Sequence, residues 1–245
     1  MQDSSHRWSA SASSAVPASS AVPASAAAPA RTVYVWDPLV RFSHWVVLAA
    51  FFIAYFTEDD FMTAHVWAGY TVATLVVVRV IWGFIGSRHA RFSDFVRSPG
   101  ETLRYIGTLA SGHARRYIGH NPAGAAMVVA LLLSLAGTTV AGFMLYAIEE
   151  DAGPLASWVA DTAASGIQLP TIVGIARADD DEHRGGKGAS SDNEAREEFW
   201  EEIHELFANF TLLLVGIHVL GVLYSSYLHN ENLPRAMFTG RKRSE

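Results

Sequence analysis

The sequence predicts an all-α fold, an integral membrane four-helix bundle with both termini on the cytoplasmic side. Two observations predict it. Four stretches about as long as a bilayer is thick are almost free of charge, and the connections between them alternate in the sign of the charge they carry. Neither shows in the averages. A chain of 245 residues with 50% apolar and 17% charged residues, and a mean hydropathy of +0.18, resembles an ordinary soluble protein.

A helix needs about 20 mainly apolar residues to cross the hydrocarbon core. The first span is expected at about 39–56 (LVRFSHWVVLAAFFIAYF), and the second at about 64–86, where Arg79 is the only charge. The third, at about 122–148, and the fourth, at about 206–228, have no charge at all. Buried helices of soluble proteins rarely stay uncharged for so long.

The connections supply the orientation. The 86–121 connection carries Arg88, Arg91, Arg97, Arg104, Arg115 and Arg116 against Asp94 and Glu101, and the C-terminal tail adds Arg235, Arg241, Lys242 and Arg243. The 57–63 turn holds Glu58, Asp59 and Asp60 with no basic residue, and the long 149–203 loop holds fourteen acids against four basic residues. Basic connections stay in the cytoplasm. Both termini and the 86–121 connection are therefore expected on the cytoplasmic side, and the acidic loops outside.

Residues 32–243 form the expected membrane domain. Residues 1–31, rich in Ser, Ala and Pro (SSAVPASSAVPASAAAPA), cannot bury a core and read as a disordered cytoplasmic tail; they lack the apolar run of a cleavable signal peptide. The stretch SPGETLRYIGTLASGHARRYIGH is amphipathic, and reads either as a helix on the inner membrane surface or as a solvated loop. In the acidic loop, PLASWVADTAASGIQLPTIVGI is apolar enough to pack on the bundle. The run RADDDEHRGGKGASSDNEAREE reads as flexible, with His183 solvated.

The chain has no cysteine and ten histidines. Disulfides, thiolate-held Fe–S clusters, cysteine zinc sites and the covalent attachment of c-type haem are excluded. Any metal must be held by His, carboxylate or Met. Four histidines lie in or at the edge of spans, where ionisable residues default to function: His44, His65, His204 and His218. His204 and His218 are 14 residues apart, about 40° short of four full turns, so they share a face about 21 Å apart along the axis. With the spans alternating in direction, His44 falls at the inner level with His218, and His65 at the outer level with His204.

Two histidines at matched depth on facing helices suit a non-covalent b-type haem with both axial positions filled, a group that carries electrons and offers no open site to a substrate. Gly69, Gly137, Gly142, Gly216 and Gly221 are small enough to admit a porphyrin, or equally to let helices pack closely. Arg79, 14 residues after His65, falls on the same face at the inner level, where a haem propionate is a natural partner. Arg41, one turn before His44, suits either a propionate or a lipid phosphate.

The chain also resembles a known family over about residues 32–243. The opening VYVWDPLVRFSHW, the segments AHVWAGY and RVIWGFIG, the run GHNPAGA and the ending HVLGVLYSSYLHNENLPRAMFTGRKR are similar to those of bacterial cytochrome b561 and nickel-hydrogenase cytochrome b subunits. The resemblance implies four transmembrane helices and two haem b groups. At the matching positions it gives His44 and His218 to the inner iron, and His65 and His204 to the outer one. It further implies electron transfer between the quinone pool and a periplasmic partner, either a c-type cytochrome or a hydrogenase-like protein. The long acidic loop and the Ser/Ala/Pro tail depart from the short form of the family.

On that expectation the partners are membrane lipid, a quinone and the periplasmic electron partner, with no nucleic acid. The quinone is placed beside Arg79, Trp82 and the inner ends of the first two helices. A haem-free transporter or metal permease using the same histidines is the alternative. Against it, no Asp or Glu lies inside any span and no internal repeat is visible. A self-contained reductase would differ only in its terminal partner.

Overall fold

The computed structural model describes residues 32–58, 60–165 and 188–243. The tail 1–31 and the 166–187 part of the acidic loop, with His183, lie outside the described residues.

Four helices are long and apolar enough to cross a membrane: α1 (Pro38–Phe56), α2 (Met62–Ile85), α5 (Pro122–Glu149) and the Asn193–Leu228 part of α7 (Gly188–Leu228). The sequence dictates where two of them begin. Asp37 and Asn121 sit at the N-caps of α1 and α5, each followed by Pro in the first turn, and their side chains accept from Val40 N (2.9 Å) and Gly124 N (2.7 Å). Large apolar side chains such as Phe42, Trp67, Leu213 and Leu220 are exposed on the outer faces of the spans, as lipid-facing residues are. Inside, Ala50, Phe51, Val72, Val76 and Leu135 form an apolar core between α1, α2 and α5. On α2 the core positions Val72 and Val76 fall between His65 and Arg79, so this apolar layer separates the two histidine levels.

The α5–α7 contact is the most extensive between helices, and a hydrogen bond fastens it: Ser134 Oγ and Thr211 Oγ1 lie 2.7 Å apart, with Thr211 1% exposed. Gly137 lets the Phe207 ring approach so closely that a Cβ would lie 2.6 Å from it.

Between α2 and α5 run α3 (Phe92–Phe95) and α4 (Pro99–Ala110). α4 is the amphipathic stretch; it buries Tyr105 and leaves Leu103 and Ile106 exposed. In the acidic loop, α6 (Ala156–Ala164) packs Val159 against Met144, Ala147 and Trp200, as the apolar half of that loop predicted. The flexible reading of the hydrophilic half fails from Gly188 onward. There α7 is already helical, and its 41 residues are about 62 Å long, about twice the hydrocarbon thickness. Ala, Glu and Arg are good helix formers, and a formed helix propagates through them one hydrogen bond per residue.

The chain ends in α8 (Leu233–Thr239) and a two-stranded antiparallel ladder of β1 (Thr32–Tyr34) and β2 (Arg241–Arg243). The sequence reading did not foresee this small sheet. Strands of three residues are too short to show a period, and their partners lie about two hundred positions apart in the chain.

Candidate haem sites

The bundle has a basic end, formed by the 86–121 connection and the chain's last residues, and an acidic end. Each end holds one pair of the predicted histidines. At the acidic end the rings of His65 (α2) and His204 (α7) are 5.9 Å apart, centroid to centroid. At the basic end the rings of His44 (α1) and His218 (α7) are 6.4 Å apart. No hydrogen bond joins either pair among the described residues. A metal–imidazole bond is about 2 Å, and a ring centroid lies about 1.1 Å behind its nitrogen. Two imidazoles on opposite sides of one ion therefore place their centroids about 6.3 Å apart. Both pairs have the spacing of rings with an ion between them.

The acidic-end pair is oriented by main-chain carbonyls. His65 Nδ1 lies 2.9 Å from Ala54 O, and His204 Nδ1 lies 2.9 Å from Thr138 O. Since a carbonyl only accepts, each Nδ1 carries the proton and each Nε2 keeps a free lone pair. Such partners fix ring orientation and raise ligand basicity. Beside the pair is a narrow, mostly apolar cavity of about 80 Å³. Gly69 and Gly142 line it. A Cβ on Gly69 would meet nothing within 4 Å, whereas one on Gly142 would lie 2.9 Å from the His204 ring. Gly69 thus borders open space, and Gly142 makes room for a histidine. Gly216 and Gly221 also meet nothing within 4 Å, but both are exposed on α7.

The basic-end pair is bordered by polar atoms without partners. His44 Nδ1, Trp45 Nε1 and Arg41 Nε are all enclosed and make no hydrogen bond. Buried polar groups nearly always have a partner, so three such atoms on consecutive turns of α1 suit a bound group that carries acceptors. The carboxylates of a haem are acceptors of that kind.

Arg79 is less solitary than the sequence implied. Its Nη1 donates to Ala90 O at 3.2 Å, and the guanidinium lies over the rings of Phe92 (5.5 Å) and Phe95 (5.9 Å). No carboxylate comes within 4 Å of it among the described residues. Trp82 is occupied structurally, since its indole N–H donates to Asp37 Oδ2 at 3.1 Å. Ser87 also donates to Asp37, tying α2 and the following turn to the start of α1. Burial pushes the Asp37 carboxyl up, but the hydrogen bonds from Ser87, Val40 and Trp82, with the nearby Arg79, outweigh it and hold it below the usual value.

The sequence reading missed His120. Its ring stands edge-on to Trp36 (4.6 Å) and is tilted against Phe95 (4.6 Å), and its Nδ1 is enclosed without a partner. Burial, with help from the positive charges of Arg79 and Lys242, holds its pKa down at about 3. The motif GHNPAGA contains it, but nothing in that string shows that it faces aromatic rings from two distant segments.

The sequence pattern of the prokaryotic cytochrome b561 family matches residues 35–240. The chain belongs to that family. Its members are membrane b-type cytochromes, whose chemistry is electron transfer through haem b. This family member is also similar to probable Ni/Fe-hydrogenase B-type cytochrome subunits. It is 29% identical to that of Bradyrhizobium diazoefficiens over 144 residues, covering 47% of this chain and 58% of the relative. Identity to the subunit of Rhizobium leguminosarum bv. viciae is 30% over 144 residues, covering 47% and 60%. To that of Rhodobacter capsulatus it is 29% over 181 residues, covering 58% and 66%. The aligned part of the chain thus spans roughly three-fifths of these relatives' length. No solved structure matches the chain.

Proposed function

We propose that this cytochrome b561 binds two haem b groups, one between His44 and His218 and one between His65 and His204, and passes electrons between the two faces of the membrane. The observation that carries this is the ring spacing of the two histidine pairs, 6.4 and 5.9 Å, on opposite sides of an apolar layer. Haem b held by these four histidines would supply a one-electron iron couple.

The residues divide the remaining work. Ala54 and Thr138 hold the Nδ1 protons of the acidic-end pair, which leaves the Nε2 lone pair of each ring free to bind iron. Arg41 and Arg79 supply positive charge at the basic-end pair, where they neutralise carboxylates. The apolar layer of Phe51, Val72, Val76 and Leu135 keeps water from the space between the levels. The acidic end faces the periplasm in this reading, and both termini face the cytoplasm. Glu194, Glu198, Glu201 and Glu202 are exposed at that end, where α7 rises past the membrane. They suit a basic electron partner, either a c-type cytochrome or a hydrogenase-like protein. A quinone exchanges electrons at the basic end.

A reduced-minus-oxidised spectrum of the purified protein tests the core of this reading. The expected result is b-type bands, with two haems per chain by pyridine haemochrome; well-folded colourless protein refutes it. Replacing His218 removes the basic-end haem and spares the other, and replacing His204 does the reverse. Orientation is readable directly because the chain has no cysteine of its own. In intact cells an impermeant thiol reagent should label Asp151→Cys and not Arg97→Cys; the opposite pattern inverts the topology.

A further inference from the structure

The basic end is closed by a folded cap that electron transfer does not require. α8 and Gly240 turn the chain back so that β2 pairs with β1, with Tyr34 opposite Arg241 and Thr32 opposite Arg243. Gly240 has φ 77°, and a Cβ there would lie 2.7–2.8 Å from Tyr34, Arg41 and the Trp36 carbonyl, so only glycine fits. Its carbonyl accepts from the backbone N–H groups of Val35 (2.8 Å) and Trp36 (3.2 Å), which fixes the cap to the start of α1.

Between the cap, the start of α1 and the end of α7 lies a cleft of about 860 Å³. Five cations line it, Arg41, Arg235, Arg241, Lys242 and Arg243, against a single carboxylate, Glu231. That carboxylate is already used. Arg116 pairs with it, and Lys242 Nζ lies 3.7 Å from it while donating to Tyr117 O at 3.1 Å. Arg243 donates to Asn230 O at 2.6 Å. Arg41, Arg235 and Arg241 are left with no carboxylate within 4 Å among the described residues, and Arg41 Nε is enclosed without an acceptor. Three arginines lining one concavity suit a phosphate, whose oxygens can accept from several of them at once.

The position of the cleft selects the source of that phosphate. It lies where α1 begins and α7 ends, at the polar boundary of the apolar spans. Phe238, 63% exposed, lies on α8, which lines the cleft, and Tyr227, 83% exposed, is three residues before the lining Asn230. A charged cleft next to exposed aromatic groups at that depth fits a molecule with an anionic head and an apolar tail. Neither His44 nor His218 lines the cleft; Arg41 is the one residue it shares with the basic-end haem proposal, so the test turns on Arg235 and Arg241.

We infer that this cleft is a binding site for the phosphate of an anionic phospholipid, held by Arg41, Arg235 and Arg241. Basic residues that only set topology need a surface; these line a concavity that the chain folds back to build.

The test uses the full chain, delipidated in detergent and then offered phosphatidylglycerol, cardiolipin or phosphatidylcholine, with bound lipid read by native mass spectrometry. Phosphatidylglycerol or cardiolipin should be retained at least about tenfold better than phosphatidylcholine. Arg235→Gln combined with Arg241→Gln should abolish that preference. Arg97→Gln, at the same end but outside the cleft, should leave it intact. Equal retention of all three lipids, or an unchanged preference in the double variant, overturns the inference. If millimolar inorganic phosphate removes the anionic lipids completely, the site takes free phosphate and the lipid assignment falls. Melting curves on the same samples show that the variants are folded whether or not haem is bound, and so keep this result separate from the haem assignment.

Discussion

Gly142→Ala is the sharpest probe of the proposed acidic-end haem site, because the added methyl group meets the His204 ring before anything else. The added Cβ would lie 2.9 Å from Cε1 and 3.0 Å from Nδ1 of His204, where ordinary contact begins at 3.4 Å. The ring must retreat by roughly 0.5 Å, a displacement at the limit that a preorganised site tolerates. Retreat from that edge stretches the 2.9 Å contact of Nδ1 with Thr138 O beyond normal hydrogen-bond length. Overpacking costs about 1–3 kcal/mol, and the lost hydrogen bond about 0.5–1.5 kcal/mol. The part of this that falls on haem binding is expected to be about one to two orders of magnitude, the range typical of lost outer-shell partners.

The assay is haem transfer to an excess of an apo-haem protein, followed optically, with haem per chain from pyridine haemochrome. One of two haems should leave 10- to 100-fold faster than in the unaltered protein, by the same reasoning. Gly137→Ala is the control. Its Cβ meets the Phe207 ring at 2.6 Å, so it overpacks the same helix pair without touching a ligand. Unchanged haem transfer in Gly142→Ala, or equal loss in Gly137→Ala, refutes the reasoning.

Other consequences follow from the same geometry. Asp37→Ala removes the α1 cap and leaves the Trp82 and Ser87 donors without their acceptor, so a loss of about 1–3 kcal/mol is expected in thermal unfolding. Because the folded Asp37 pKa is depressed, its stabilisation is present at neutral pH and is lost as pH falls through and below about 4. His120 has the same sign. Its folded pKa of about 3 lies below the ordinary 6.5, so stability is full above pH 6.5 and declines toward pH 3, by at most about 1.4 kcal/mol per pH unit; His120→Phe should flatten that decline in a pH series of melting curves. Thr211→Val breaks the buried Ser134 bond between α5 and α7 and should cost about 0.6–2 kcal/mol in denaturant titration, with haem content unchanged. Finally, binding of a basic c-type cytochrome should weaken steeply with added salt; insensitivity to ionic strength removes the role given to the acidic end.

Much of this protein is legible without its fold. Spans, charge asymmetry and the two histidine pairs all follow from features that are local or strictly periodic. A span must be apolar along its whole length, and a helix turns by a constant angle, so the interval from His204 to His218 fixes their common face whatever surrounds them. Asp37–Pro38 and Asn121–Pro122 mark helix starts for the same local reason.

Contacts between segments with no shared period had to come from the tertiary structure. Asp37 reaches Trp82 and Ser87, His120 lies between Trp36 and Phe95, and the last basic residues fold back on residues 32–36. Each joins positions too far apart in the chain for spacing to reveal. Arg41 shows the difference most plainly. Its place one turn before His44 is written in the sequence, but its enclosed Nε and the cleft it lines with Arg235 and Arg241 exist only once the C-terminus returns to the start of α1.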